Sequence, residues 1–194
     1  MDEAKYSAYL AVLTKRLSDR RLHHSLCVAD SARHLAEKFG ADADVCFEAG
    51  LLHDVLKEAK ADEIFALCRR WEIALTPLEK VTPKLWHAKV GAVFLEKELG
   101  VTDARVISAV RYHTTAKADM SPEELTLFVA DFVSADRDYP DVDVIRAKSE
   151  RDPEDAAVYG LAYTIRELAQ EERPIHPDTL EAYNDLILKR NPKG

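Results

Sequence analysis

Within the run Gly50-Leu51-Leu52-His53-Asp54-Val55-Leu56-Lys57, a histidine and an aspartate stand side by side among apolar residues. Neighbours on a helix point about 100° apart. One turn therefore cannot easily send both side chains to water while Leu52 and Leu56 face a core. A buried carboxylate is costly unless a cation or hydrogen bonds compensate it. A metal ion provides that compensation and takes imidazole and carboxylate together; a core histidine salt-bridged to its neighbour is the alternative.

Further polar residues fall on apolar helix faces near helix ends: His24, His87, His113 and Asp131. With the His53-Asp54 pair they make four histidines and two aspartates, each on a different helix except the pair. Any one alone reads as structural, whereas together they favour a multi-ligand metal site in a helical bundle. No cysteine stands in register with them, which speaks against structural zinc. An oxygen-and-imidazole set suits iron, manganese, cobalt or magnesium, with positions left for water and substrate.

The elements that must hold these residues read as helices. Residues 3–17 form a modest first helix, and Ser18-Asp19 offers a break and a new cap. From Arg21 to Phe39, Leu22, Leu26, Ala29, Ala32, Ala36 and Phe39 keep helical steps, and Gly40 closes the helix. His24 lies off that stripe with Cys27, Val28, Ser31 and Leu35, so this helix is expected to be buried on two sides, with His23 and His34 at the rim. Asp42 starts a helix carrying His53 and Asp54 near its end. Asp62 to Trp71 is another, and Thr76-Pro77 and Thr82-Pro83 punctuate a linker. A helix after Pro83 carries His87 in its first turn and ends at Gly100. Thr102 is read as the cap of the next, which ends at His113. Ser121-Pro122-Glu123-Glu124 combines a capping box with proline at the first helical position and starts the Asp131 helix. Asp152-Pro153 starts a helix to about Gln170, and a turn at 174–177 precedes a last helix over Asp178–Lys189. There is no period-2 alternation and no nucleotide-binding glycine-rich loop. The expected fold is all-α, a bundle of about eight to ten helices.

The chain of 194 residues suits a single domain. A net charge of −8 with no basic run argues against nucleic acid as a partner, though a small anion could bind at a local cluster of cations or a metal. The acidic start lacks a secretory pattern, and no apolar run is long enough for a bilayer. Three cysteines, Cys27, Cys46 and Cys68, show no CxxC spacing and read as buried thiols of a reducing compartment. The expectation is a cytoplasmic protein without a membrane partner.

His24, His53-Asp54 and Asp131 match the H…HD…D signature of the HD-domain phosphohydrolase superfamily. Longer runs sharpen the match: Arg21-Leu22-His23-His24-Ser25-Leu26, Leu51 to Lys57, Leu85-Trp86-His87-Ala88-Lys89-Val90-Gly91-Ala92, Arg111-Tyr112-His113-Thr114-Thr115, Val129-Ala130-Asp131-Phe132-Val133, and Pro174-Ile175-His176-Pro177-Asp178-Thr179. In this order, from about Arg21 to Ile187, they resemble the bacterial YqeK family of symmetrical bis(5′-nucleosyl)-tetraphosphatases. The resemblance implies an HD fold and one or two iron ions held by His24, His53, Asp54 and Asp131. It implies diadenosine tetraphosphate as substrate, cut into two ADP. Arg21, His87, His113, Thr114, Arg137, Ile175 and His176 would contact the nucleotide, Asp54 touching it as well; His87 and His113 could instead bind a second metal. Residues 1–19 would be an N-terminal helix, 20–135 the metal-binding core, 136–190 helices completing the nucleotide pocket, and 191–194 a disordered tail. Two departures stand out. Ser134-Ala135-Asp136-Arg137-Asp138-Tyr139-Pro140 replaces a Glu-Pro-Gly-Arg-like run, and Ala116 stands where a glycine commonly follows the two threonines.

The chemistry fits independently of the family. A phosphoanhydride repels hydroxide, and a divalent cation lowers the pKa of a water towards ~7 while neutralising developing charge. Arg21 and Arg137 suit phosphate by their forked geometry. Lys57 would act with His53 and Asp54 as a point charge, or is a helix-end cation answering the dipole. His176 is either a nucleotide contact or a turn residue and cap. A di-iron oxygenase, another HD-type phosphate ester hydrolase and a nucleotide-sensing module are the rival readings. A homodimer is a plausible assembly, because paired symmetric assemblies are the commonest.

Overall fold

The computed structural model describes residues 3–191 and is all-α, with no strand among the described residues. Residues 192–194 of the expected tail lie outside the described residues. The order is α1 (Glu3–Arg16), α2 (Asp19–Phe39), α3 (Ala43–Leu52), α4 (Ala61–Arg70), α5 (Pro77–Lys80), a 3₁₀ turn (Pro83–Leu85), α6 (Trp86–Glu98), α7 (Ala104–Tyr112), α8 (Pro122–Val133), α9 (Val142–Ser149), α10 (Pro153–Gln170) and α11 (Pro177–Arg190). The described segments slightly exceed the expected number for two reasons. The stretch read as a linker folds into the short α5 and a 3₁₀ turn, and α9 carries no start signal in its sequence.

Most boundaries follow from local capping chemistry. Ser18, Asp42, Ser121 and Asp152 each accept hydrogen bonds from backbone N–H groups of the first turn, and Ser121 forms a capping box with Glu124. Gly40 closes α2 at φ 73°, a left-handed conformation that glycine adopts at no steric cost. Thr102 does not cap α7. Asp103 does, accepting from Arg105 N, and its carboxylate is the stronger cap of two adjacent candidates. Helix α9 begins at Asp141, whose φ is 69° and whose side chain makes no cap bond.

Helices α2, α3, α7 and α8 pack on one another, α6 covers α7, and α9 and α10 lie against α8. The core includes Val28, Ala32 and Leu35 of α2, Leu51 and Leu52 of α3, Leu95 of α6, Val106 and Val110 of α7, and Leu127 and Val129 of α8. The expected second buried side of α2 is present, for His24, Val28 and Leu35 are buried while His23 and His34 are exposed. Leu22, Leu26 and Phe39 are only partly buried at the margin of the core. Of the thiols, Cys46 and Cys68 are buried, Cys27 is half-buried, and none is in a disulfide.

Gly50 sets the closest approach. A Cβ there would stand 2.8 Å from Ala29 Cα and 3.0 Å from Ala29 N, so α3 can lie this near α2 only without a side chain. That approach brings the end of α3 beside His24.

Candidate metal centre

Helix α3 ends at Leu52, and the chain continues in tight i→i−3 turns, with Val55 N bonded to Leu52 O and Lys57 N to Asp54 O. His53 and Asp54 thus leave the helix together and point into the bundle, 0% and 1% exposed. His24 enters from within α2, Asp131 from α8, His87 from the first turn of α6 and His113 from just past α7. The six residues predicted as a constellation converge.

One side of the cluster is formed by His24, His53 and Asp131. His24 Nε2 is 3.1 Å from Asp131 Oδ1, and His53 Nε2 is 3.9 Å from the same oxygen. The other side is formed by Asp54, His87 and His113. Asp54 Oδ1 is 3.1 Å from His87 Nε2 and 3.8 Å from His113 Nε2, and the two imidazole nitrogens are 3.1 Å apart. Donor atoms of His24, His53 and Asp131 lie within 4.8 Å of one another, as do those of His53, Asp54 and His113. Adjacent ligands of an octahedral cation bonded at about 2.1 Å sit roughly 3 Å apart, so these separations leave room for an ion.

The fit is tested by hydrogen bonding. His53 Nε2 and Asp54 Oδ1 are buried and have no hydrogen-bond partner, an arrangement that costs about 1–3 kcal/mol per group. The ring of His87 lies close to Asp54 Oδ1 but out of line to donate to it. The carbonyls of Gly50 and Val110, each 2.7 Å from the Nδ1 of His53 and His113, can only accept. Each ring therefore carries a proton on Nδ1 and turns Nε2 towards the centre. Burial opposes a charge on His53, but Asp54 and Asp131 raise its pKa, so a cation would take the place of the proton they attract. Burial opposes the charge on Asp54, but His53, His113 and His87 outweigh it and hold the carboxyl well below the usual range. Burial likewise opposes the charge on Asp131, where Arg137, His24 and His53 prevail. Burial pushes His87 down to about 4 against the pull of Asp54, so its imidazole is neutral near pH 7. Two ionised carboxylates, a neutral His87 imidazole and buried donor atoms without partners fit a divalent cation.

The expected cations surround the carboxylates. Arg21 Nη1 is 2.9 Å from Asp54 Oδ2, Arg137 pairs with Asp131, and Lys57 Nζ is 3.6 Å from Asp54 Oδ1. Thr114 Oγ1 lies 3.1 Å from His113 Nε2. His176 is not at the centre. Its Nδ1 accepts from Asp178 N and caps α11, and its ring lines a cavity of about 170 Å³ with Leu85, Thr114, Leu168 and Pro174. Ile175 is half-buried before it, outside that lining. The sequence reading missed the partner of His24 Nδ1, which is Asp136 Oδ2 at 2.7 Å. The only local signal was a carboxylate placed five residues after Asp131.

An HD domain model matches residues 21–136, the stretch that holds the whole cluster. Symmetrical bis(5′-nucleosyl)-tetraphosphatases match nearly end to end. The protein of Bacillus subtilis is 34% identical over 92% of this chain and 95% of its own length. That of Halalkalibacterium halodurans is 32% identical over 93% and 96%. The chain belongs to this HD-domain family. A crystal structure from Clostridium acetobutylicum, described as a predicted HD superfamily hydrolase involved in NAD metabolism, superimposes with a TM-score of 0.91 at 29% identity, covering 95% of this chain and 97% of that one. Ala116 adopts φ 57°, a left-handed conformation that favours glycine.

Proposed function

We propose that this chain is a cytoplasmic, metal-dependent hydrolase of dinucleoside polyphosphates, cutting diadenosine tetraphosphate symmetrically into two ADP. The observation that carries the reading is the pair of orphaned buried atoms, His53 Nε2 and Asp54 Oδ1, set among further imidazoles and carboxylates in a chain of this family. His24, His53, Asp54 and Asp131 are assigned as ligands, with His87 and His113 available to a second ion. The all nitrogen-and-oxygen donor set supports iron, with manganese, cobalt or magnesium as substitutes. When bound, the cation supplies Lewis acidity and a water acidified towards neutral pH.

The chain's own residues do the rest. Arg21, Arg137 and Lys57 place three cations around the two carboxylates, the charge pattern that a polyphosphate needs. Thr114 can donate its hydroxyl to a phosphate oxygen. The cavity of about 170 Å³ beside His176, walled by Leu85, Leu168 and Pro174, suits the apolar face of a base and supports the reading that the C-terminal helices over 136–190 complete the nucleotide pocket. No helix among the described residues is long and apolar enough to cross a membrane. A homodimer is the assembly expected on symmetry grounds.

The test is metal analysis after anaerobic purification, with product chromatography on diadenosine tetraphosphate for wild type and Asp54→Ala. Two ADP per substrate, lost on chelation and in the variant, is expected. AMP plus ATP would overturn the symmetric cut. One observation favours a second reading, a di-iron oxygenase: His87 Nε2 and His113 Nε2 converge 3.1 Å apart beside Asp54, as a second ion would require. Bound iron and dioxygen uptake without ADP release would favour it.

A further inference from the structure

The histidines of the centre are not all oriented alike. His53 and His113 stand past their helix ends and use their own chain's carbonyls. His24 lies inside α2, where the backbone carbonyls are committed to the helix. Its Nδ1 instead meets a residue 112 positions away, Asp136, whose Oδ2 is 2.7 Å distant. The other oxygen of Asp136 accepts from Ser134 Oγ, also at 2.7 Å.

The loop that carries Asp136 is braced from outside. Arg146 of α9 donates from Nε to Val133 O at 3.1 Å and from Nη2 to Ser134 O at 3.0 Å and Arg137 O at 2.9 Å. Three carbonyls held by one guanidinium leave the segment little freedom. The same segment sends Arg137 to Asp131, through Nε to its backbone carbonyl at 2.7 Å and through Nη2 to its carboxylate. One short loop thus acts on both His24 and Asp131.

We infer that Asp136, braced by Ser134 and Arg146, is the positioning residue of the metal centre, fixing the tautomer and ring plane of His24; the inference rests on the metal reading above. An ionised carboxylate only accepts, so the Nδ1 of His24 that meets Asp136 carries a proton, and Nε2, 3.1 Å from Asp131 Oδ1, is the nitrogen left to bind a cation seated between the two. Partners of this kind raise the basicity of a ligating imidazole and fix its aim.

The test uses the full chain with Mn²⁺ as probe, titrated by calorimetry into wild type, Asp136→Asn and Asp136→Ala, with circular dichroism as the folding control. Asp136→Ala should weaken Mn²⁺ binding roughly 10- to 100-fold, with Asp136→Asn in between because an amide oxygen still accepts from Nδ1. Histidine ¹⁵N spectra of the metal-free and Zn²⁺-loaded protein give a second readout. In the metal-free protein His24 should hold a proton on Nδ1 in wild type and Asp136→Asn, whereas Asp136→Ala should leave the proton on Nε2, beside Asp131. Zn²⁺ bound at Nε2 keeps the proton on Nδ1 in every variant, so the loaded spectra report ligation. Equal affinity in all three proteins, with the Nδ1 proton retained in metal-free Asp136→Ala, would overturn the inference. Should Asp136→Ala fail to fold, Asp136→Asn decides: unchanged Mn²⁺ affinity counts against the role and weaker binding for it. If wild type binds no Mn²⁺ or Zn²⁺, the metal reading fails separately, and the metal-free spectra still decide whether Asp136 sets the tautomer.

Discussion

His53 and His113 are held by the same device. Each is the first residue past its helix, and each ring donates from Nδ1 to the carbonyl three residues back, at 2.7 Å in both cases. The rings meet edge to face with centroids 4.9 Å apart. Their places in the cluster differ, however. His53 belongs with His24 and Asp131 on one side and with Asp54 and His113 on the other, whereas His113 belongs only to the second group. His53→Ala is therefore expected to weaken metal binding by roughly 100-fold or more and to abolish turnover. His113→Ala should keep at least half of the metal bound to wild type. Metal analysis per chain checks both, and equal losses in the two variants would refute the asymmetry.

Gly50 is expected to be the most sensitive glycine in the chain. A methyl group there would press on Ala29 backbone atoms at 2.8–3.0 Å, and backbone cannot rotate away as a side chain can. Overpacking of this kind costs about 1–3 kcal/mol, partly offset by the roughly 1 kcal/mol that alanine gains over glycine in a helix. Because the clash is with backbone the cost falls at the upper end of that range, so the net loss is about 2 kcal/mol, a fall of about 4–8 °C in Tm for a chain of this size. Because Gly50 also supplies the carbonyl that orients His53, Gly50→Ala should lose metal affinity as well. Scanning calorimetry with and without Mn²⁺ measures both effects; an unchanged Tm would show that α2 and α3 separate at little cost.

What was legible in the sequence was local or periodic. Ser18, Asp42, Ser121 and Asp152 announced their helices because a cap needs only its own first turn. His24, His53, Asp54, His87, His113 and Asp131 could be collected because each is a polar residue on an apolar face. Asp136 could not. It sits in a loop with no periodicity, and its partner is 112 residues away. Helix α9 was missed for a related reason, since Asp141 starts it from a left-handed conformation with no side-chain cap. Asp103, in turn, takes the cap beside Thr102 through a difference between two acceptors that spacing alone does not rank.

Glu79 gives a pH dependence away from the metal ligands. It is buried, accepts from Lys89 Nζ at 2.7 and 2.9 Å, and completes the capping box of α5 through Thr76 N. Burial opposes its charge, but Lys89 and Thr76 prevail and lower its pKa. A carboxyl with a depressed folded pKa contributes stability above its unfolded value, about 4.3, and loses it as pH falls through the folded one. Glu79→Gln should therefore be less stable than wild type by about 1–3 kcal/mol at neutral pH, with the gap closing below about pH 4. Denaturant titrations across pH 3–7 follow that gap (about the span of the transition). A constant difference would mean that the carboxylate charge contributes nothing.

Lys57 separates a substrate role from a structural one. Its Nζ lies 3.2 Å from His87 Nε2 and 3.6 Å from Asp54 Oδ1, and one third of the side chain is exposed. An ammonium has no lone pair with which to bind a cation, so it can serve the centre only by receiving an anion at its mouth. It also helps burial keep His87 neutral, which leaves that imidazole free to donate its lone pair. Removing a partly solvated point charge a few ångströms from a phosphate should raise KM about tenfold, equivalent to ~1.4 kcal/mol, while bound metal stays at the wild-type level. Lys57→Arg should recover part of the loss, since it restores charge but not shape. A cation that merely answered the dipole of the preceding turns would behave otherwise: Lys57→Ala would lower Tm slightly and leave KM untouched. Steady-state kinetics on diadenosine tetraphosphate, beside metal analysis of the same preparations, distinguishes the two.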